Sequence, residues 1–356
     1  MTFQTILENT QKLICACSQT LVSQAQESQA PLGSHTQAML VPKTLQNPDT
    51  IPTIVLGLSG GPDSVFLFHV LKILHDQNYI KLMCAHLDHG WRPESAQDAL
   101  SCASLCMKHN IPITIAKLEN LGFKPKFNGS QEDIGRKCRR FLFQKTLKKN
   151  NANFIALAHH EQDQQETFFL RLLRGSSLSG LVCMKEIDDV YIRPLLSVSK
   201  EFMLAWLHEN KIAYLQDPSN TSDSYLRNKI RKYVIPALNQ CDERFDQKFA
   251  STLAHLKTEE TYLHALALQA YEQVFTQENN GQLSKFKALD NTLQKRVLLA
   301  WLIKNEVQFH VSDSFLNEIL RFLLNNRGGA HTVHANWAIN KKSDRFWMKP
   351  MVETIG

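Results

Sequence analysis

Ser59-Gly60-Gly61-Pro62-Asp63-Ser64 sets two hydroxyls, two glycines and a carboxylate between the apolar run Ile54–Leu58 and the apolar-rich stretch Val65–Leu71. A strand, a tight turn and a helix start in that order aim backbone N–H groups and the positive end of a helix dipole at a phosphate. Glycines there adopt angles closed to other residues and let a polyphosphate approach the main chain. The same residues would also serve a plain strand-to-helix turn. A second polar burst, His159-His160-Glu161-Gln162-Asp163-Gln164-Gln165-Glu166-Thr167, closes another apolar run and opens a helix. Asp163, Glu166 and Thr167 fall on one helix face, where one or two carboxylates with phosphate oxygens would suit Mg²⁺. Helix capping alone would also explain Asp163, but not the adjacent histidines. His86, Asp88, His89, Trp91 and Arg92 cluster after a third run and could hold a ribose, an adenine or an RNA phosphate, or form a polar loop around a buried Trp91. Arg174, Tyr225, Arg227, Asn228 and Arg231 offer basic, amide and aromatic groups suited to phosphate contacts and base stacking. Arg227 and Arg231 could equally flank a helix.

The elements that must hold these groups alternate. Strands are expected at Ile54–Leu58, Leu82–Leu87, Ile113–Leu118 and Phe154–Ala158, and helices near Ser64–His75, Glu94–His109, Gln131–Leu147 and Asp163–Leu173. The pattern predicts an α/β fold, a Rossmann-like parallel sheet with helices on both faces, whose ligands bind beyond the carboxyl ends of the strands. Beyond Asp217 the composition turns helical, which predicts a smaller, mainly helical domain ending in a β-hairpin, His331–Trp337 with Arg345–Met348. The expected divisions are residues 1–50 as a partly disordered extension with one amphipathic helix near Phe3–Val22, 51–216 as the α/β domain, 217–235 as a linking segment, and 236–356 as the helical domain.

With 43% hydrophobic and 21% charged residues, the 356-residue chain has an ordinary globular composition. It has no apolar run of the ~20 residues a membrane helix needs, and no basic segment leading into an apolar one at its start. A cytoplasmic protein without a membrane partner is expected. The eight cysteines form no C-x-x-C pair, so neither a disulfide framework nor a zinc ribbon is predicted. The net charge of +6 is uneven: Gly135–Lys149 holds Arg136, Lys137, Arg139, Arg140, Lys145, Lys148 and Lys149 with no acidic residue. Such clusters attract a polyanion or form a solvated helix face.

No Gly-Lys pair is present for a Walker loop, and Gly57, Gly60 and Gly61 do not fit G-x-G-x-x-G. The glycine loop resembles instead the PP-loop of ATP pyrophosphatases, which split ATP to AMP and pyrophosphate while adenylating a substrate oxygen. Seven segments in order, SGGPDS, HLDHGWRPES, Glu132 with Gly135-Arg136 to Arg139, LAHHEQDQQET, LLRGSSLSGL, Arg193-Pro194-Leu195 and DPSNTSDSYLRNKIR, resemble the tRNA(Ile)-lysidine synthetases. That resemblance implies ligation of L-lysine to C2 of cytidine 34 in the CAU anticodon of tRNA(Ile), which changes codon reading from AUG to AUA, with catalysis in residues 51–216 and tRNA contact in 217–235. It implies ATP held by Ser59, Gly60, Gly61, Pro62, Asp63, Ser64, His86 and Asp88, and Mg²⁺ held by Asp163 and Asp63. Catalytic roles fall to Asp63, His159, His160, Asp163, Glu166, Arg136 and Arg139, with Asp63 and Glu166 as candidates to hold the lysine amine and either histidine to take its proton. Contacts to tRNA fall to Arg92, Arg174, Tyr225, Arg227, Asn228 and Arg231; a homodimer is left open. The C-terminal half resembles the family's first accessory domain in layout only, and a further C-terminal domain of longer members is expected to be absent. The chain departs from the family pattern at Gln162, where Asp is usual, at Gly135 in place of Ala and at Arg140 in place of Tyr. A cytidine 2-thiolase would be expected to carry C-x-x-C, and a binding-only protein would not release pyrophosphate.

Overall fold

Residues 1–27, 51–123, 131–216, 225–276, 280–307 and 312–351 are described by the computed structural model. Asp217–Ser224, the whole DPSNTSDS part of the last motif, and the side chain of Glu132 lie outside the described residues, as does the stretch 28–50 of the expected extension.

In the first unit, Met1–Ala250, the elements are α1 (Phe3–Glu27), β1 (Thr53–Gly57), α2 (Pro62–Asp76), β2 (Lys81–Asp88), α3 (Ser95–Lys108), β3 (Ile113–Lys117), α4 (Gln131–Lys149), β4 (Phe154–Ala156), α5 (Glu161–Leu173), α6 (Leu178–Leu181), β5 (Ile187–Asp188), β6 (Tyr191–Ile192), α7 (Lys200–Glu209), α8 (Leu226–Lys229), a π-helical turn at Ile230–Val234, α9 (Ile235–Cys241) and the start of α10 (Phe245–Val274). Ile54, Val55 and Leu56 are all fully buried, as a strand covered on both faces requires. Strand order is β3-β2-β1-β4-β6-β5; β1 pairs in parallel with β2 and β4, and the short β5 runs antiparallel to β6. The expected parallel sheet is therefore present with an antiparallel edge. Its chain order reverses between β1 and β4, which opens a crevice at their carboxyl ends. The loops carrying Ser59–Ser64 and His159–Asp163 meet there.

One sheet face carries α1, α2, α3 and α7 over a core that includes Ile54, Leu56, Phe66, Phe68, Leu71, Met203 and Leu207. On the opposite face α4 brings Cys138, Leu142 and Phe143 against Val55, Ala85 and Ile155. The helix expected near Phe3–Val22 forms as α1, but not as an appendage. Its Ile6, Leu7, Ile14 and Cys17 enter the first core, and Phe3 stacks on Trp206 with ring centroids 4.5 Å apart.

Ser251–Gly356 makes the second unit. It continues α10 and adds β7 (Asn280–Gln282), α11 (Leu283–Lys287), α12 (Asn291–Lys304), α13 (Asp313–Leu324), β8 (Gly329–His334), β9 (Trp337–Lys342) and β10 (Arg345–Pro350). Phe275, Phe286, Trp301 and Phe346 interlock at its centre with ring centroids 5.2–5.4 Å apart. The expected hairpin is larger than its sequence suggests. A turn at Ala335–Asn336 splits His331–Trp337 into β8 and β9, and the sheet runs β7-β10-β9-β8. The division between units also lies later than expected, inside α10 rather than at 217–235, because α8 and the π turn pack on α5. Among the described residues no helix is long and apolar enough to cross a membrane.

Candidate active site

Pro62 opens α2 at a position where its missing N–H costs nothing and its fixed φ suits the helix. The first intrahelical bond runs from Val65 N–H to Gly61 O at 3.0 Å, so the amides of Asp63 and Ser64 have no helical acceptor. They form the donor end of the helix dipole. Ser64 is buried and braces the loop: its Oγ donates to Gly61 O at 3.0 Å and accepts from Ser59 N–H at 3.2 Å. Gly60 has φ +84°, accepts the Leu215 N–H at 2.9 Å, and lies where a Cβ would come within 2.5 Å of the Leu215 side chain. Gly61, by contrast, has an ordinary extended conformation at φ −70°; what it contributes is bareness, since an added Cβ would occupy the mouth of the cradle, 3.5 Å from Ser59 Oγ. Unsatisfied amides around a bare backbone fit a phosphate.

Across the crevice, His160 caps α5 and is buried, and its N–H donates to Asp163 Oδ2 at 3.0 Å. Its Nε2 lies 3.4 Å from Asp163 Oδ2 and 3.6 Å from Asp63 Oδ2, so one imidazole joins the carboxylates that follow β1 and β4. Lys200, the first residue of α7, brings Nζ to 3.6 Å from Asp63 Oδ1. Burial alone would lower the His160 pKa, but the nearby Asp63 carboxylate and the charge of Asp163 outweigh burial and raise it. Burial works the other way on Asp163, and there the charges of His160, Arg227 and His159 prevail and hold its carboxyl below the usual range. His159 is lowered to about 4 by burial, and its buried Nδ1 makes no hydrogen bond. The pKa values of these adjacent histidines are thus displaced in opposite directions.

Glu166 is 0% exposed, and both of its oxygens are taken. Arg227 Nε donates to Oε2 at 2.6 Å, Arg231 Nε to Oε1 at 2.5 Å and Arg231 Nη2 to Oε2 at 3.1 Å, while Arg227 Nη2 reaches Asp163 Oδ1 at 2.8 Å. A carboxylate that deep must be paired, and two guanidiniums four residues apart do so. This changes three sequence expectations. Arg227 and Arg231 turn inward onto α5, keeping only 28% and 38% of their side chains exposed, and Glu166 offers no open oxygen for an amine.

The remaining candidate residues lie outside this cluster. His86 Nδ1 lies 2.8 Å from Leu58 O and Asp88 Oδ1 accepts the Gly90 N–H at 2.9 Å, so both buried groups knit the β2 tip rather than point away from it. Arg92 donates to Asp98 at 2.7 Å. Trp91 is 43% exposed rather than buried, and it stacks on His89 at 4.4 Å. Arg136 is exposed on α4 beside Asp133, at 3.4 Å, and Arg139 is close enough to His89 to help lower its pKa, second to burial. Neither belongs to the α5 cluster. Arg174 is exposed at the C-terminal end of α5, Tyr225 caps α8, and Asn228 is half-buried within that helix. Among the described residues no three His, Cys, Asp or Glu side chains are arranged to hold a metal by themselves.

A family model for the ATP-binding PP-loop domain matches residues 35–238, which include the glycine loop, both histidines and the two arginines. The chain belongs to the PP-loop family. A tRNA(Ile)-lysidine synthase of Bacillus cereus is 31% identical over 282 residues, 76% of this chain and 59% of the relative. One of Bacillus subtilis is 32% identical over 281 residues with the same coverage. The chain therefore spans about three-fifths of the length of these curated relatives. Among solved structures, a U34-tRNA thiolase of Methanococcus maripaludis with its [4Fe-4S] cluster superimposes with a TM-score of 0.50 at 16% identity, covering 68% of this chain and 79% of its own, which shows a shared PP-loop fold.

Each departure in this PP-loop chain has a local partner. Gln162 Oε1 accepts the Lys200 N–H at 3.0 Å, and its Nε2 donates to Glu201 Oε2 at 3.0 Å, so it tethers α5 to α7 where a carboxylate would face Glu201. At Gly135 a Cβ would come within 2.7 Å of the Trp91 ring, so glycine admits the Trp91–His89 stack. Arg140 lies 4.7 Å over the Tyr191 ring, a cation–π contact. Lys200 is the site residue that motif reasoning missed. Its signal was the helix cap: Ser199 Oγ accepts the Phe202 N–H at 3.3 Å, and Ser-Lys-Glu is a legible helix start.

Partly buried histidines of the PP-loop unit set an acid limit. His69, His89 and His159 are each lowered to about 4, chiefly by burial, against about 6.5 in the unfolded chain. Between those values the unfolded chain binds more protons, so stability falls as pH is lowered through that window. His160 opposes this: its contribution is full below about 6.5 and is lost as pH rises through its raised value. Because the His160 contribution is already complete in that window, the melting temperature is expected to fall from pH 6.5 to 4 in scanning calorimetry; a rise over that range would contradict the assignment.

Proposed function

We propose that this chain is a tRNA(Ile)-lysidine synthetase, joining L-lysine to C2 of cytidine 34 in the CAU anticodon with conversion of ATP to AMP and pyrophosphate. The observation that carries the reading is the meeting of a phosphate-fitting glycine loop with the Asp63–His160–Asp163 cluster at the β1/β4 crevice. The names of the relatives supply the substrate.

In the first step the cytosine C2 oxygen attacks the α-phosphorus and pyrophosphate leaves. The amides of Asp63 and Ser64 and the Lys200 ammonium receive the charge on the departing group. When bound, Mg²⁺ would neutralise polyphosphate charge; Asp63 is the carboxylate that would hold it, because both Asp163 oxygens are engaged by Arg227 and His160, and such a site needs only one or two protein carboxylates. In the second step the lysine ε-amine attacks C2, the bond from C2 to the adenylate oxygen breaks, and AMP leaves. Freeing a neutral amine from a group of pKa near 10.4 at pH 7 costs about 4.6 kcal/mol. Asp63, with a half-exposed carboxylate, is the group we assign to orient the amine. His159, neutral with an unoccupied Nδ1, is the proton acceptor. Once the C–N bond forms, the nitrogen is far more acidic than an alkylammonium, so a weak base suffices. Arg227 and Arg231 are positioning residues that keep Glu166 and Asp163 fixed. Arg92, Arg174 and Trp91 are assigned to contact tRNA, and the exposed indole suits an unpaired base.

The test is incorporation of labelled lysine, with ATP and Mg²⁺, into a tRNA(Ile) transcript bearing C34 and into its U34 counterpart. Incorporation confined to the C34 transcript is expected. Tight transcript binding with no lysine incorporation and no pyrophosphate release would overturn the proposal.

A further inference from the structure

Away from the crevice, a cavity of about 520 Å³ follows the groove between α2 and α3, from Gly60 down to the C-terminal ends of α3 and α7. Cavities of that size accommodate small organic ligands. Its upper wall is apolar, with Leu105, Tyr214 and Leu215, while its lower end gathers His69, Lys108 and Lys211; no carboxylate lines it anywhere. Helix dipoles account for part of this, because Lys108 closes α3 and Lys211 follows α7, where cations are favoured. They do not account for His69.

His69 lies in the middle of α2, and its Nε2 is buried without a hydrogen-bond partner. Such a group carries an unpaid desolvation cost unless a ligand meets it. Burial, followed by the neighbouring His109 ring and the Lys72 and Lys108 ammonium groups, keeps the imidazole neutral. His109 stands edge-on to its ring at 5.5 Å, and Trp206 of α7 lies 5.8 Å from it. A buried, unsatisfied imidazole in a field of positive charge, below an apolar wall, is complementary to an anionic head on an aromatic body.

We propose that this cavity binds an anion of nucleotide size, with its aromatic body against Leu105, Tyr214 and Leu215 and its phosphate head on His69, Lys108 and Lys211. The cavity borders the glycine loop at Gly60 and Leu215, but its cationic end lies on other residues, and the inference does not rest on the lysine-transfer reading.

The probe is 1-naphthyl phosphate. Equilibrium dialysis is expected to show one saturable site that survives Ser64→Ala in the glycine loop. Lys108→Ala/Lys211→Ala should weaken it about tenfold or more, as loss of charged hydrogen bonds would. Both lysines are exposed, so the double variant should keep its melting temperature. Trp206 emission should change on binding, and 1-naphthol and inorganic phosphate should each bind more weakly than the intact probe. Lack of saturation overturns the proposal. So does binding that disappears in Ser64→Ala but persists in the lysine double variant, since the probe would then occupy the glycine loop.

Discussion

Asp63→Ala is expected to abolish lysine transfer, with a loss of at least about 10³-fold, while leaving the chain folded. The carboxylate stands at the start of α2 among unsatisfied amides, within 3.6 Å of both His160 Nε2 and Lys200 Nζ. Its removal takes away the group assigned to orient the amine and the leading support for the charged form of His160. Two readouts separate these roles. Single-turnover assays should show lysine transfer lost more severely than pyrophosphate release, and the His160 imidazole should titrate at lower pH by NMR. Near-normal transfer by the variant would remove Asp63 from the mechanism.

Glu166→Ala is expected to destabilise the first unit by about 3–5 kcal/mol, because it leaves two guanidiniums partly buried without their shared carboxylate. The three contacts at 2.5–3.1 Å from Arg227 and Arg231 are replaced by a void. A double variant, Glu166→Met with Arg231→Met, should recover part of the loss, since well-packed apolar groups can replace a buried ion pair. Urea unfolding of the single and double variants measures both. A cost below about 1 kcal/mol for Glu166→Ala would mean that the pair is no more than a surface contact.

The sheet was legible because period and punctuation agree along Ile54–Ala158: β1, β2, β3 and β4 fall within two residues of their expected ends. Apolar runs closed by Gly, Asp or His leave few alternatives once both faces are covered. The crevice was legible for the same reason, since polar bursts at strand ends converge in a doubly wound sheet. Charge pairing across distance was not. Arg227 and Arg231 read as solvent-facing cations because nothing local shows a carboxylate that is 61 and 65 residues away in the chain. Gly61 illustrates the converse: a glycine in a phosphate loop suggests special backbone angles, yet it has none. Two-residue strands such as β5 and β6 fall below any periodic signal.

Gln162 has a consequence for how such a chain can change over generations. Its amide satisfies a helix start and a glutamate at once, through Lys200 N–H and Glu201. Aspartate, the residue that the family resemblance would put here, would bring a second negative charge to Glu201, so its acceptance depends on what residue 201 already is. The two positions are therefore expected to drift as a couple, and the order of the two substitutions decides which intermediate natural selection tolerates. A search template that demands the aspartate alone would pass over chains that have taken the other route.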